Sequence, residues 1–298
     1  MRIATITLFC NEHFRLDDWV HYYNEYRDDI SLHVIVNNGS IEDTELLQSR
    51  FPKSLVLYSP TKNMMASYNL ALREILKDET IDTIAQIVND IRLSEGGFKK
   101  MYDTLYSDVK YAIISPILLN KDSETIDLYG AHILPSNLNF LHLDSQKKYS
   151  DVCEEIIREC TGLPGGIFLA KRSVYEKVGL QDEQINMYAD EVDMGIRVAK
   201  LGYKLVATAQ VKAWHQHVNP IGCITRNPKA AYYMGRNHIY IAKKHCSHKV
   251  VLSTILHRIK VAFIHLFSCI RHHKSREEYT YTWFLFKGVY AGITNKMS

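Results

Sequence analysis

Apolar and polar positions follow two periods along this chain, and their succession predicts its elements. Arg2 to Phe9 is a nearly unbroken β-branched and apolar run. After Cys10-Asn11-Glu12, a helical pattern from Phe14 to Tyr26 sets Leu16, Trp19, Val20 and Tyr23 on one face. Leu32 to Val36 is a second strand, stopping at Asn37-Asn38-Gly39-Ser40. Strand, helix, strand at this spacing is a βαβ unit and implies a parallel sheet, which gathers ligands at the carboxyl ends of its strands. Leu55 to Tyr58, Ile81 to Val88 and Tyr111 to Leu118 read as further strands, with helices at Asn63 to Leu76 and Gly96 to Leu105. The predicted class is α/β: a mixed, mainly parallel sheet flanked by helices.

Beyond Leu118 the pattern shortens. Lys121 to Ser150 reads as short strands and turns, and Asp151 to Cys160 as a short acidic helix. A glycine-rich turn (Gly162, Gly165, Gly166) opens onto a buried strand, Ile167 to Ala170, and a short helix that stops at Gly179. Asp190-Glu191-Val192-Asp193 then heads a helix with Met194, Ile196, Val198, Ala199 and Leu201 at helical spacing and Gly202 as its stop. Two strand-like runs, Tyr203 to Ala207 and Val211 to Trp214, lead to His215.

After Asn219-Pro220 the character changes to a helical appendage. Arg226 to His245 is a basic helix carrying Tyr232, Tyr233, Arg236 and Asn237, and the last helix runs from Glu277 to Ala291. Between them, Lys249 to Lys274 has two stripes. Thr254, His257, Arg258, His265, Ser268 and His272 form one, and Leu252, Ile255, Leu256, Ile259, Phe263, Leu266, Phe267 and Ile270 the other. Such a helix fits a membrane interface, or packing onto protein or a second subunit as a homo-oligomer; its polar positions argue against a bilayer span. The histidines at 238, 245, 248, 257, 265, 272 and 273 read as interfacial polar residues rather than a metal site. The expected division is a catalytic domain over 1–220, with halves 1–93 and 94–220, and a basic amphipathic region over 221–298.

Charge sharpens that division. The net charge of +3 hides seventeen Lys and Arg against two carboxylates, Glu277 and Glu278, beyond Asp193, while residues 1–193 sum to −12. Residues 226–276 are therefore expected to seek an anionic membrane surface. The six cysteines lie scattered without a CxxC pair and read as the reduced thiols of a cytoplasmic protein; no secretory leader and no membrane span are expected.

The acidic cluster admits two readings. Asp190 can be an N-cap with Glu191 and Asp193 in the first turn, where the helix dipole favours negative charge, Asp193 meeting Arg197. Alternatively, a carboxylate at a loop-to-helix junction serves as a general base. Asp90, after Asn89 at the end of the fourth strand, and His215, at the end of the last, suit a divalent cation.

Taken together, the stretch resembles the second half of a GT-A-fold, family 2 inverting glycosyltransferase of the bacterial rhamnosyl- and galactofuranosyltransferase type. The resemblance rests on Tyr175-Glu176-Lys177-Val178-Gly179-Leu180-Gln181-Asp182-Glu183, Asp190-Glu191-Val192-Asp193 with Arg197, Gly202-Tyr203 and Trp214-His215. It implies a donor site along Phe9, Cys10, Asn11, Asn37, Asn38, Asn63, Asn69, Asn89 and Asp90, with Asn37 standing where relatives carry an Asp that contacts the nucleotide. It implies an acceptor side at Gly165, Gly166 and Trp214, a diphosphate contact from Arg236, and Mn²⁺ or Mg²⁺ held by Asp90 and His215. The base maps onto Glu191, with Asp190 open because the acidic order is swapped relative to the family. The implied reaction moves a sugar, with inversion, from a UDP- or dTDP-linked donor to a saccharide, lipid-linked acceptor in cell-surface polysaccharide synthesis, by an enzyme on the inner face of the plasma membrane. A sugar nucleotidyltransferase would want a glycine- and lysine-bearing loop after the first strand, and Asn11-Glu12-His13-Phe14 offers none. A non-catalytic basic protein, binding membrane or nucleic acid on a degenerate scaffold, is the other alternative.

Overall fold

The computed structural model describes residues 1–121, 123–162, 165–216 and 227–296. The strands are β1 (Ile3–Phe9), β2 (Leu32–Asn37), β3 (Leu55–Tyr58), β4 (Thr83–Ile87), β5 (Ile91–Leu93), β6 (Tyr111–Asn120), β7 (Ile126–Leu128), β8 (Ala131–Ile133), β9 (Phe140–His142), β10 (Ile157–Cys160), β11 (Ile167–Lys171) and β12 (Lys204–His215). The helices are α1 (Leu16–Tyr26), α2 (Asp43–Arg50), α3 (Met64–Ile75), α4 (Gly97–Tyr106), α5 (Arg172–Val178), α6 (Asp190–Lys200), α7 (Pro228–His245), α8 (His248–Arg271) and α9 (Arg276–Thr294).

Two units emerge, neither continuous in sequence. The first takes residues 1–132, 142–183 and 194–218 and contains the main sheet, ordered β10-β12-β6-β11-β4-β1-β2-β3. Its β3, β2, β1 and β4 are all parallel, as the continuous apolar runs require of strands buried on both faces. Ile3, Ile6, Val34, Ile84, Ile113 and Leu169 lie fully inside. The antiparallel insertion of β11 between β4 and β6 makes the sheet mixed. The carboxyl ends of β1, β2 and β4 are thereby drawn to one edge.

Two expectations fail here for visible reasons. Asp151 to Cys160 is no helix: a 3₁₀ turn over Tyr149–Asp151 precedes β10, an edge strand paired only on β12. The two runs ahead of His215 are one strand, split in pattern by a register shift between Thr208 and Lys212.

The second unit gathers residues 133–141, 184–193 and 219–298, hence α7, α8 and α9. Ala231, Ala262, Tyr281 and Leu285 form its core. α7 and α9 touch backbone to backbone: a Cβ on Gly288 would stand 2.0 Å from the Tyr232 carbonyl oxygen, and one on Gly292 would stand 2.9 Å from that of Arg236. Glycines four apart on one helix let two backbones approach in this way.

α8 is turned opposite to what an aqueous setting demands. Thr254 and Arg258 of its polar stripe are buried, while Leu252, Leu256, Phe263, Ile264, Phe267 and Ile270 are each more than half exposed. Contrary to the expectation that nothing reaches span length, α8 is long and apolar enough to cross a membrane by length and composition.

Candidate functional site

In the first unit, chemistry collects where β1, β4 and β12 end. β4 delivers Asn89 and Asp90 into a tight turn, and β12 delivers His215. Asp90 Oδ1 lies 3.4 Å from His215 Nε2, and Asp90 Oδ2 lies 3.0 Å from an Arg15 guanidinium nitrogen. The other face of the imidazole meets Asp127: Nδ1 to Oδ2 is 3.3 Å. Backbone bonds fix the group, for Gln216 N–H donates to the Asp90 carbonyl and Arg15 donates to that of Gln216. Burial alone would lower the His215 pKa, but hydrogen bonds and charge from Asp127 and Asp90 outweigh it and push the pKa up to about 9. At neutral pH the ring is thus an imidazolium clasped by two carboxylates.

That pair suits a divalent cation. Ions bound at about 2.1 Å by oxygen and imidazole nitrogen keep adjacent donors roughly 3.0–3.5 Å apart, the spacing of Asp90 Oδ1 and His215 Nε2. Asp127 on the far nitrogen is the orienting carboxylate that metal-bound histidines commonly carry. Cation loading would release the imidazolium proton.

Gly166 belongs to this neighbourhood. It adopts φ +99°, and a Cβ there would stand 2.9 Å from Ile91 Cδ1 and 4.0 Å from the His215 ring, so only glycine fits. Gly165 faces open space. Trp214 lines a cleft of about 340 Å³ together with Arg92, Ser123, Glu124 and Gln216.

The remaining residues of the predicted donor site are mostly engaged internally. Phe9 is fully buried and stacks on Trp19. Cys10 is exposed, and Asn11, at φ +60°, accepts from Ser40 N–H. Asn37 is fully buried, its oxygen accepting from Gly39 N–H and its nitrogen donating to Ser40 O and Thr44 Oγ1. The Asn37 side chain thus closes the Asn-Asn-Gly-Ser turn. Asn38 donates to Thr61 O and Ser67 Oγ. Asn63 caps α3 and donates to Glu183 O; Asn69 bonds Gln181 and Glu183 from both ends of its amide. These two asparagines clamp the Gln181–Glu183 segment. Asn89 donates to Glu12 Oε2. Arg15, Glu12 and Asp127, overlooked in the sequence, come from loops and a short strand without periodic signal.

The second unit holds the acidic pair. Asn186, Tyr188 and Ala189 adopt φ of 65°, 63° and 65°, a left-handed path that non-glycine residues disfavour, directly ahead of α6. Asp190 is therefore the first helical residue rather than an N-cap. α7 holds this path in place. Asn237 donates to the carbonyls of Ile185, Met187 and Tyr188, and Arg236 to those of Gln184 and Ile185. Arg236, only 2% exposed, thus supports the loop. Burial, then the Asp190 charge beside it, lifts the Glu191 pKa well above the usual carboxylate range; burial also lifts that of Asp190. Asp193 accepts from Lys244 Nζ at 3.0 Å and lies 2.7 Å from His245 Nε2.

The histidines of this unit also differ from expectation. His238 is buried and His245 packs on Asp193, so neither is interfacial. His265 sits with Cys269 and Glu278, their ligand atoms within 4.8 Å of one another, a group able to hold a metal ion. The spacing that brings His265 and Cys269 together is one helical turn. His217 and residues 219–226, including the expected boundary at 220, lie outside the described residues.

Comparison with known proteins matches this architecture. No family model matches the chain. It is 22% identical over 206 residues to the O-antigen chain rhamnosyltransferase WbaN of Salmonella anatum, covering 68% of this chain and 62% of that protein. Over 83 residues it is 30% identical to the N-acetylglucosaminyl-diphospho-decaprenol L-rhamnosyltransferase of Mycobacterium tuberculosis, covering 28% of this chain and 27% of that one. Among solved structures, the mannosyltransferase PcManGT from Pyrobaculum calidifontis with GDP-Man and Mn²⁺ superposes with TM-score 0.60 at 13% identity, over 99% of this chain and 88% of that one. GalNAc-T7 with UDP, GalNAc and Mn²⁺ gives 0.60 at 12%, over 81% and 48%. The fold is that of the GT-A-like glycosyltransferases. Within it, the chain is distantly related to rhamnosyltransferase-type family 2 enzymes.

Proposed function

We propose that this chain is an inverting glycosyltransferase, taking a sugar from a UDP- or dTDP-linked donor to a saccharide acceptor carried on a lipid, in surface-polysaccharide synthesis. The observation that carries the reading is the Asp90–His215 pair at the ends of β4 and β12, spaced for a divalent cation and backed by Asp127. When bound, Mn²⁺ or Mg²⁺ offsets the charge that builds on a departing diphosphate. Asp90 and His215 hold it, Asp127 orients the ring, and Arg15 steadies the second Asp90 oxygen. Glu191, or Asp190 beside it, takes the proton of the attacking hydroxyl, and the sugar inverts in one displacement. The two named rhamnosyltransferases, one on O-antigen and one on a diphospho-decaprenol acceptor, support the acceptor class. The exposed apolar row of α8 and the basic C-terminal third support residence on an anionic membrane, on the cytoplasmic side.

The test is sugar transfer, or donor hydrolysis, by the purified chain with Mn²⁺ and UDP- or dTDP-sugars. Asp90→Ala and Glu191→Gln are each expected to lower turnover by about 10²–10⁴-fold. Thermal stabilisation by UDP or by TDP with Mn²⁺ assigns the donor class. Unchanged turnover in both variants overturns the site, and absence of turnover in the parent favours the binding-protein alternative.

A further inference from the structure

Arg258 is a cation removed from water without an anion. It lies on the inward stripe of α8 and is 6% exposed. Among the described residues it makes one hydrogen bond, and that is long: Nη2 reaches Asn139 Oδ1, in the segment between β8 and β9, at 3.4 Å. Among the described residues its Nε is buried with no hydrogen-bond partner, and so is Nδ1 of His238 on α7, near enough for the Arg258 charge to add to burial in lowering the His238 pKa. Among the described residues no carboxylate offsets the charge, for burial is the sole influence on Arg258 and pulls its pKa down only to about 10, leaving it charged at neutral pH.

A buried guanidinium normally takes a carboxylate or phosphate in bidentate fashion, because leaving five donors dry and a charge uncompensated costs several kcal/mol. Here α7, α8 and the β8–β9 segment place three polar groups, Arg258, His238 and Asn139, around that deficit. We propose that they form a binding site for a phosphate oxyanion. Phosphate suits the deficit better than a carboxylate does, since its several acceptor oxygens can serve the guanidinium fork and the imidazole together. Two sources share that chemistry: free phosphate, or the headgroup of an anionic phospholipid. The site is independent of the transfer reaction, and its test needs no turnover.

The experiment measures thermal unfolding of the full chain in chloride, in inorganic phosphate, and with vesicles carrying phosphatidic acid or, at matched charge, oleate. The parent is expected to gain about 3–6 °C from millimolar phosphate or from phosphatidic acid over oleate. The first response assigns the free anion and the second alone the lipid headgroup. Arg258→Met should unfold in chloride no earlier than the parent, since it removes an uncompensated buried charge, and should lose the phosphate response. Arg258→Lys, which keeps the charge and loses the fork, should lose most of it. No response of the parent to either phosphate source, or a full response in the folded Met or Lys variant, overturns the proposal.

Discussion

Asp190 and Glu191 bring two carboxylates side by side into a desolvated setting; burial makes both harder to ionise, and the Asp190 charge adds to the effect at Glu191. A general base works ionised, so a raised pKa moves the acid limb of kcat/KM upward, above the roughly 4.3 of an ordinary glutamate. The Asp190 charge is one cause of the rise at Glu191. Asp190→Asn should therefore move that limb to lower pH, whereas a limb that stays put would argue that Asp190 is itself the base. Stability carries the same sign. The folded chain holds protons on this pair that the unfolded chain has released, so the pair's contribution falls as pH rises from the ordinary carboxylate range to the folded pKa. The sequence announced the pair and its place at a helix start. It could not announce the left-handed path of Asn186, Tyr188 and Ala189, because three left-handed residues within four positions leave no periodic mark. Asp127 was hidden for a similar reason: a lone acid in a three-residue strand says nothing about the histidine it meets.

Strands covered on both faces were the plainest elements in the sequence. β1, β2 and β4 read directly as apolar runs because both their faces are covered. α2 went unseen because only Asp43 and Leu47 of its eight residues are buried. In α8 the two stripes were plain, but periodicity tells where the faces divide and never which one meets protein. The structure turns the polar one inward. Replacing Phe263 and Phe267 by Ser should then leave stability within about 0.5 kcal/mol, as at exposed positions, while cutting co-sedimentation with anionic vesicles severalfold. Equal sedimentation would show that charge alone holds the protein there. The α7–α9 contact is set by backbone instead: Gly288→Ala drives a methyl into the Tyr232 carbonyl and should cost about 1–3 kcal/mol in chemical denaturation. Because α7 carries Arg236 and Asn237, that variant should also lower turnover; activity preserved at full stability would mean the helices slide apart harmlessly.

For the whole molecule, the α/β class and the helical C-terminal block were readable from pattern. The meeting of Asp90 with His215 joins positions 125 residues apart, and only the sheet order, with β12 beside β5 and β6, explains it. The bare row along α8 also changes how any particle size measured in water should be interpreted. In water, two copies can cover those six side chains by pressing them against one another. If α8 lies on a membrane as proposed, an oligomer found in detergent-free buffer that dissolves on adding vesicles would report the missing lipid rather than a stable assembly.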